Sequence, residues 1–271
     1  MSLPTPNQPI LEMSGANIAA LRDASLTLLE DVHWTVRAGE FWVVAGRPHS
    51  GKSDLLLHAA GLLSPTAGTC RLYGVETGDL DETHLAERLR VGLVFPDGKL
   101  FNQLTIAENI ALPLRYHQPR PEAETTRIVN GLLELMELQS AANATPENVA
   151  AVWRQRAALA RALALAPELL LLDNPHAGLS SRQLEWLQVL LDQLWHGHAF
   201  FGGRPMTLVA ATDDLPHWQH PQRKFAAIQE GRFAELGAWG QANFMQHPAV
   251  QELLPASADS AARPAPQSRD H

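Results

Sequence analysis

The sequence predicts an α/β fold built on a parallel sheet, and three observations carry that prediction. Short, apolar, β-rich runs recur at Phe41–Ala45, Leu169–Leu172 and Met206–Ala211. Stretches of helical periodicity separate them. A glycine-rich loop, Gly46–Gly51, joins the first run directly to a helical segment. Strands that are buried on both faces and separated by helices imply a parallel sheet covered on both sides.

Each element follows from local chemistry. Phe41-Trp-Val-Val-Ala45 has the length and apolarity of a buried strand. After the loop, Leu55, Ala59 and Leu62 fall at helical spacing and predict a helix over Lys52–Leu63. Residues 105–166 carry a mostly helical pattern, with Leu132, Leu135 and Met136 on one face, and read as a helical insert. The apolar run Leu169–Leu172 ends in Asp173, and Leu184, Leu187, Leu191 and Leu194 then step along an amphipathic helix. Phe225–Glu235 reads as a hairpin turning on Glu230-Gly231. One domain over residues 10–254 is expected, between a proline-rich flexible lead, 1–9, and a Pro/Ala/Ser-rich tail, 255–271, predicted to be disordered. No internal repeat of a solenoid type is visible.

Composition narrows the function. In 271 residues, 45% apolar content fills a sizeable core and excludes global disorder. A net charge of −8 argues against whole-surface attraction to nucleic acid or anionic lipid, and no nucleic-acid partner is expected. The single cysteine, Cys70, excludes an intrachain disulfide and a cysteine-rich zinc site. The first fifteen residues show neither a basic nor an apolar signal region, and the apolar stretch Leu159–Leu172 is broken by Arg161, Pro167 and Glu168. A cytoplasmic location is expected.

Gly46-Arg47-Pro48-His49-Ser50-Gly51-Lys52-Ser53 fits the pattern G-x-x-x-x-G-K-[ST]. Glycines let the backbone wrap tightly enough to aim its N–H groups at phosphate oxygens, and the helix N-terminus adds partial positive charge. Lys52 is the residue expected to reach the β- and γ-phosphates, and Ser53 to ligate Mg²⁺. Pro48 removes one N–H from the cradle. A second carboxylate at the end of a buried strand would complete the metal site, and Asp173 stands there. The ligand implied is a nucleotide phosphate chain with Mg²⁺.

With these motifs in order, the chain resembles the ATP-binding cassette (ABC) family, the nucleotide-binding subunits of ABC transporters. The phosphate loop, Gly61-Leu-Leu-Ser-Pro65 followed by Gly68, and Leu104-Thr-Ile-Ala-Glu-Asn109 all look like family segments. So do Arg154-Gln-Arg156 with Ala160-Arg-Ala162, and Leu169–Asp173 followed by Pro175 and Ala177-Gly-Leu179. The resemblance covers residues 10–240. It implies a P-loop NTPase with a RecA-like core, an antiparallel β portion and a helical insert that contacts a transmembrane permease subunit. The resemblance makes the nucleotide ATP, and a second cassette and a place at the inner face of the membrane are also implied.

The chain departs from the family where chemistry and closure are concerned. Pro96 stands where the family's metal-reaching glutamine follows Val94-Phe95. Val149-Ala-Ala-Val-Trp153 replaces the Leu-Ser-Gly-Gly-Gln signature, Asn174 replaces the general-base glutamate, and Asp213 replaces the switch histidine. No aromatic residue lies between Ile10 and Leu29 to stack on an adenine. Loss of a general base typically costs ~10²–10⁴ in rate, so weak or absent hydrolysis is expected. The first reading is therefore an ATP-binding transporter subunit with little turnover of its own. The alternatives are a non-catalytic pseudo-ATPase adaptor or regulatory protein, and a soluble DNA-repair or translation protein of the same family.

Other features read as structural. Trp34 and Trp42 lie in strand-like runs and are expected in the core, while Arg115–Arg127 reads as a solvated helix surface. His196/His198 and His217/His220 do not supply four convergent ligands and read as polar loop residues. Residues His196–Pro205 look like an insertion relative to the family.

Overall fold

Ten strands and eight helices are described by the computed structural model, which covers residues 8–254 apart from 81, 118 and 119. The expected disordered tail and most of the flexible lead lie outside those residues. The strands are β1 (Pro9–Ala20), β2 (Asp23–Arg37), β3 (Phe41–Gly46), β4 (Thr69–Leu72), β5 (Val75–Glu76), β6 (Val91–Val94), β7 (Leu169–Asp173), β8 (Thr207–Thr212), β9 (Lys224–Gln229) and β10 (Arg232–Ala238). The helices are α1 (Lys52–Ala59), α2 (Leu85–Arg88), α3 (Ile106–His117), α4 (Glu122–Leu135), α5 (Ala151–Leu163), α6 (Ser181–His196), α7 (Ala242–Gln246) and α8 (Pro248–Leu253).

Among the described residues the strands run in the order β5-β4-β1-β2-β10-β9-β3-β8-β7-β6. β9, β3, β8, β7 and β6 pair in parallel, with Val43 facing both Ala210 and Phe225 across the ladder. The long β1–β2 hairpin adds the antiparallel portion. β3, β7 and β8 are buried along their whole length, which is why they carry no polar alternation. Their side chains feed two cores. Phe41, Val43 and Ala45 pack toward the helices of residues 105–196, while Trp42 and Val44 pack toward α1 and the hairpin. Trp34 and Trp42 are buried and meet edge to face at 5.9 Å.

Residues 105–166 hold α3, α4 and α5. The entry to α3 is fixed by buried Asn109, whose side-chain amide donates to the carbonyls of Phe101, Leu104 and Thr105 while its oxygen accepts from Phe101 N. Thr105 and Glu108 close a reciprocal capping box. α6 opens with a second such box, Ser180 with Gln183.

Three boundaries differ from the sequence reading. α1 stops at Ala59 rather than Leu63, because Gly61 takes φ 66° and Leu62 N–H turns back to the Leu57 carbonyl. A Cβ at Gly61 would also press on the tips of Leu72 and Leu80, which adds to the preference for glycine at this turn. Pro9 belongs to β1 rather than to a loose lead, since the Gln8 carbonyl accepts from Ala38 N–H. β8 starts at Thr207, because Met206 N–H is drawn off to the Leu194 carbonyl at the end of α6. No helix among the described residues is long and apolar enough to cross a membrane.

Candidate nucleotide site

β3 delivers Gly46 to the top of the sheet, and the chain turns through Arg47–Gly51 into α1. His49 (φ 63°) and Gly51 (φ 94°) hold left-handed conformations that wrap the loop, and Ser50 N–H closes it onto the Arg47 carbonyl at 3.2 Å. Gly51 also approaches Leu28 and Leu29 of β2, and its φ of 94° favours glycine over any residue with a side chain. Among the described residues, the N–H groups of His49, Gly51, Lys52 and Ser53 make no bond within the chain. They line a cup of about 210 Å³ with Asp54. Orphan donors at a helix N-terminus form an anion site.

Lys52 is buried, and its ammonium donates to the carbonyls of Gly46 and Arg47 at 2.7 and 2.6 Å. Burial lowers its pKa, and the charges of Asp213 and Asp173 push it back up. Asp173, at the end of β7, is 5% exposed. Burial raises its pKa, the Ser53 hydroxyl and Lys52 lower it, and Asp54 and Asp97 raise it further. The structure therefore brings Lys52, Ser53, Asp173 and Asp213 together. Arg47 turns outward and pairs with Glu252 of α8 at 3.0 Å.

A hard cation suits this donor set. A hydroxyl and a carboxylate stand side by side, and a desolvated Asp173 surrounded by Asp54 and Asp97 gains from a divalent charge. Sequence reasoning missed Asp54 and Asp97. Asp97 follows Pro96 directly, and an acid beside that turn was the available signal.

Two of the remaining departures, Asn174 and Pro96, adjoin Asp173 and Asp97 in the chain. Asn174 holds φ 44° and its N–H donates to the Ala211 carbonyl, fixing it beside β8. The Pro96 carbonyl accepts from Gln155 Nε2 of α5 at 3.1 Å, and the same amide reaches the Ala177 carbonyl at 3.1 Å. Gln155 thus fastens the Pro96 turn and the loop after Asp173 to one helix. Val149–Trp153 starts that helix, and among the described residues no hydrogen bond joins it to Gly46–Ser53. The loops after Asp173 and Thr212 are stacked on each other. His176 lies on Trp218 at 4.2 Å and 8°, with its Nε2 2.7 Å from the Gln188 amide. Burial, then His217 and Arg223, push His176 down to about 3, so it is neutral. His217 itself pairs with Asp214 at 2.7 Å.

The ABC transporter family profile matches residues 29–177, more than half of the chain and the span that holds the phosphate loop and Asp173. The chain belongs to the ABC transporter family. The methionine import ATP-binding protein MetN 2 of Paraburkholderia xenovorans is 32% identical over 92% of this chain and 64% of its own length. The sulfate/thiosulfate import ATP-binding protein CysA of Mycolicibacterium paratuberculosis is 33% identical over 80% of this chain and 57% of its own. The ABC chain thus spans about three fifths of these relatives. The dimeric post-hydrolysis structure of the ATP-binding cassette MJ0796, bound to ADP and Pi, superposes with a TM-score of 0.73 at 27% identity, covering 85% of this chain and all of that one. The ABC fold accounts for the parallel core, the antiparallel hairpin portion and the helices at 105–166.

Proposed function

We propose that this ABC cassette binds Mg-ATP through Gly46–Ser53 and Asp173 and serves as the ATP-binding subunit of a membrane transporter, with little hydrolysis of its own. The observation that carries the reading is the cup of undonated N–H groups beside Lys52 and Asp173. Bound Mg²⁺ would neutralise phosphate charge between Ser53 and Asp173. Lys52 would exchange two neutral carbonyl partners for phosphate oxygens, a stronger charge-assisted bond.

The hydrolytic groups are chemically unfit on this chain. Asn174 has no basic oxygen near neutral pH, so an attacking water keeps its proton. Pro96 offers no side-chain ligand. Asp213 already faces Lys52 and would repel a γ-phosphate rather than donate to it. The bound nucleotide therefore acts as a ligand that sets conformation more than as a fuel.

A surface for the membrane partner lies between the Pro96 turn and α3. A groove of about 560 Å³ is lined there by Leu89, Leu93, Phe101, Pro113, Tyr116 and Arg161. Phe101 and Tyr116 are 53% and 77% exposed, which favours a protein contact. The relatives named above import methionine and sulfate or thiosulfate, chemically unlike cargoes. Cargo choice on this reading belongs to the partner. The experiment is nucleotide titration alongside phosphate release, on this chain alone and with its permease. Binding without appreciable release supports the reading, and absence of binding ends it.

A further inference from the structure

The end of the sheet opposite the phosphate loop contains a second cavity. It has a volume of about 270 Å³ and lies under the loop that joins α6 to β8. β3 spans six residues from that end to Gly46, about 20 Å away. Nothing in the nucleotide reading uses this cavity.

The loop is a built structure. Gly197 (φ 104°) backs onto the Gly203 carbonyl, and the N–H groups of Phe201 and Gly203 both donate to the His198 carbonyl. The Phe200 ring packs on Gly131 of α4, where any side chain would strike it. The neighbouring Phe201, with Ile10, Pro205 and Met206, makes the apolar wall.

Two donors that line the cavity have no acceptor among the described residues. Thr207 is 2% exposed, and its hydroxyl oxygen accepts from Gly39 N–H at 3.0 Å. Among the described residues its own proton has no acceptor, although a hydroxyl can donate one bond. Arg204, which is exposed, also lines the cavity and has no acidic partner among the described residues. The acid present, Glu168, is already matched by Arg90 at 2.6 Å. A buried free donor and an exposed guanidinium without an ion-pair partner line the same largely apolar cavity, a combination that suits an anion carried on an apolar body. The volume falls just below the ~300–1,000 Å³ usual for ligand pockets, so the ligand is small.

We propose that this cavity binds a small monocarboxylic acid, with its carboxylate on Arg204 and the Thr207 hydroxyl and its apolar body against Phe201 and Met206. The test is calorimetric titration of the full chain with 3-phenylpropanoate and octanoate, and with 3-phenylpropanamide as the neutral control. The acids are expected to bind at least fivefold more tightly than the amide. Arg204→Gln should bring 3-phenylpropanoate down to the affinity of the amide, and Ala38→Phe, which fills the chamber, should remove binding of all three. Lys52→Ala should leave these affinities unchanged. Arg204 is exposed, so its variant folds and remains decisive even where Ala38→Phe does not. Failure of both acids to bind, equal binding of acid and amide, or full acid binding in Arg204→Gln would overturn the proposal.

Discussion

The two rims of the nucleotide site have been treated differently by this sequence. On one rim, Gly46–Ser53 and Asp173 keep the wrapped loop, the buried ammonium and the carboxylate beside a hydroxyl. On the other, Pro96 and Asn174 are held by hydrogen bonds of their backbone, and Pro96, Asn174 and Asp213 stand where the family resemblance implies a glutamine, a glutamate and a histidine. The second rim has not decayed into loose loops. Gln155 ties the Pro96 turn to the Ala177 loop, and His176 stacks on Trp218 to bind the Asn174 loop to the Asp213 loop. On the function proposed above, phosphate recognition and water activation are separable properties of this fold. The first needs backbone geometry and a few charges, while the second needs particular side-chain atoms.

The largest effect that would sharpen this contrast is restoration of the second rim. The triple change Pro96→Gln, Asn174→Glu and Asp213→His is expected to raise phosphate release by ~10²-fold or more, because it returns a base and its partners. An unchanged rate would place the defect at Val149–Trp153 instead. On the first rim, Lys52→Ala should weaken nucleotide binding about tenfold or more, the loss of a charge-assisted contact of roughly 1.5–3 kcal/mol. Equal affinity in both proteins, by titration, would break the comparison.

Assembly tests the same division. The MJ0796 neighbour was captured as a dimer, whereas Val149–Trp153 lacks the serine and the glycines of the family signature. Size measurement with and without Mg-ATP should show no nucleotide-driven dimer. A tight dimer appearing only with ATP would mean that this segment works as a signature.

A smaller effect concerns pH. His176 is held at about 3 in the folded chain, below its usual 6.5, so folding favours its neutral form. Its contribution to stability is complete above pH 6.5 and is lost as pH falls toward 3. The slope is at most about 1.4 kcal/mol per pH unit. Denaturant unfolding at pH 7.5 and pH 5 should show this loss in the wild type and a flatter response in His176→Gln. The smallest effect is at Cys70, which burial pushes up to about 12. A thiol reagent at pH 8 should label it only after unfolding.

How much of this could be read beforehand depends on the range of the interactions. Gly46–Ser53 was legible because the loop needs particular residues at consecutive positions, and Asp173 because a buried apolar strand delivers it. Pro96, Asn174 and Asp213 were legible as departures from the family pattern, because recognisable family segments flank them in the chain. Asp54 and Asp97 were not, because their effect on Asp173 arises only when β6, β7 and α1 converge. The His176–Trp218 stack and the Gln155 bridge join residues 42 and 59 positions apart, respectively, and leave no local pattern. The length of α1 was overestimated because leucine periodicity continued past Gly61, where backbone conformation ended the helix.

The most direct measurement is a paired one on the unmodified chain: nucleotide affinity by titration and phosphate release in the same Mg²⁺ buffer. Saturable ATP binding, with release near the rate of buffer alone, is the result predicted from an intact first rim and a substituted second one. Turnover of several per second that disappears in Lys52→Ala would contradict it, and would mean that another side chain activates the water.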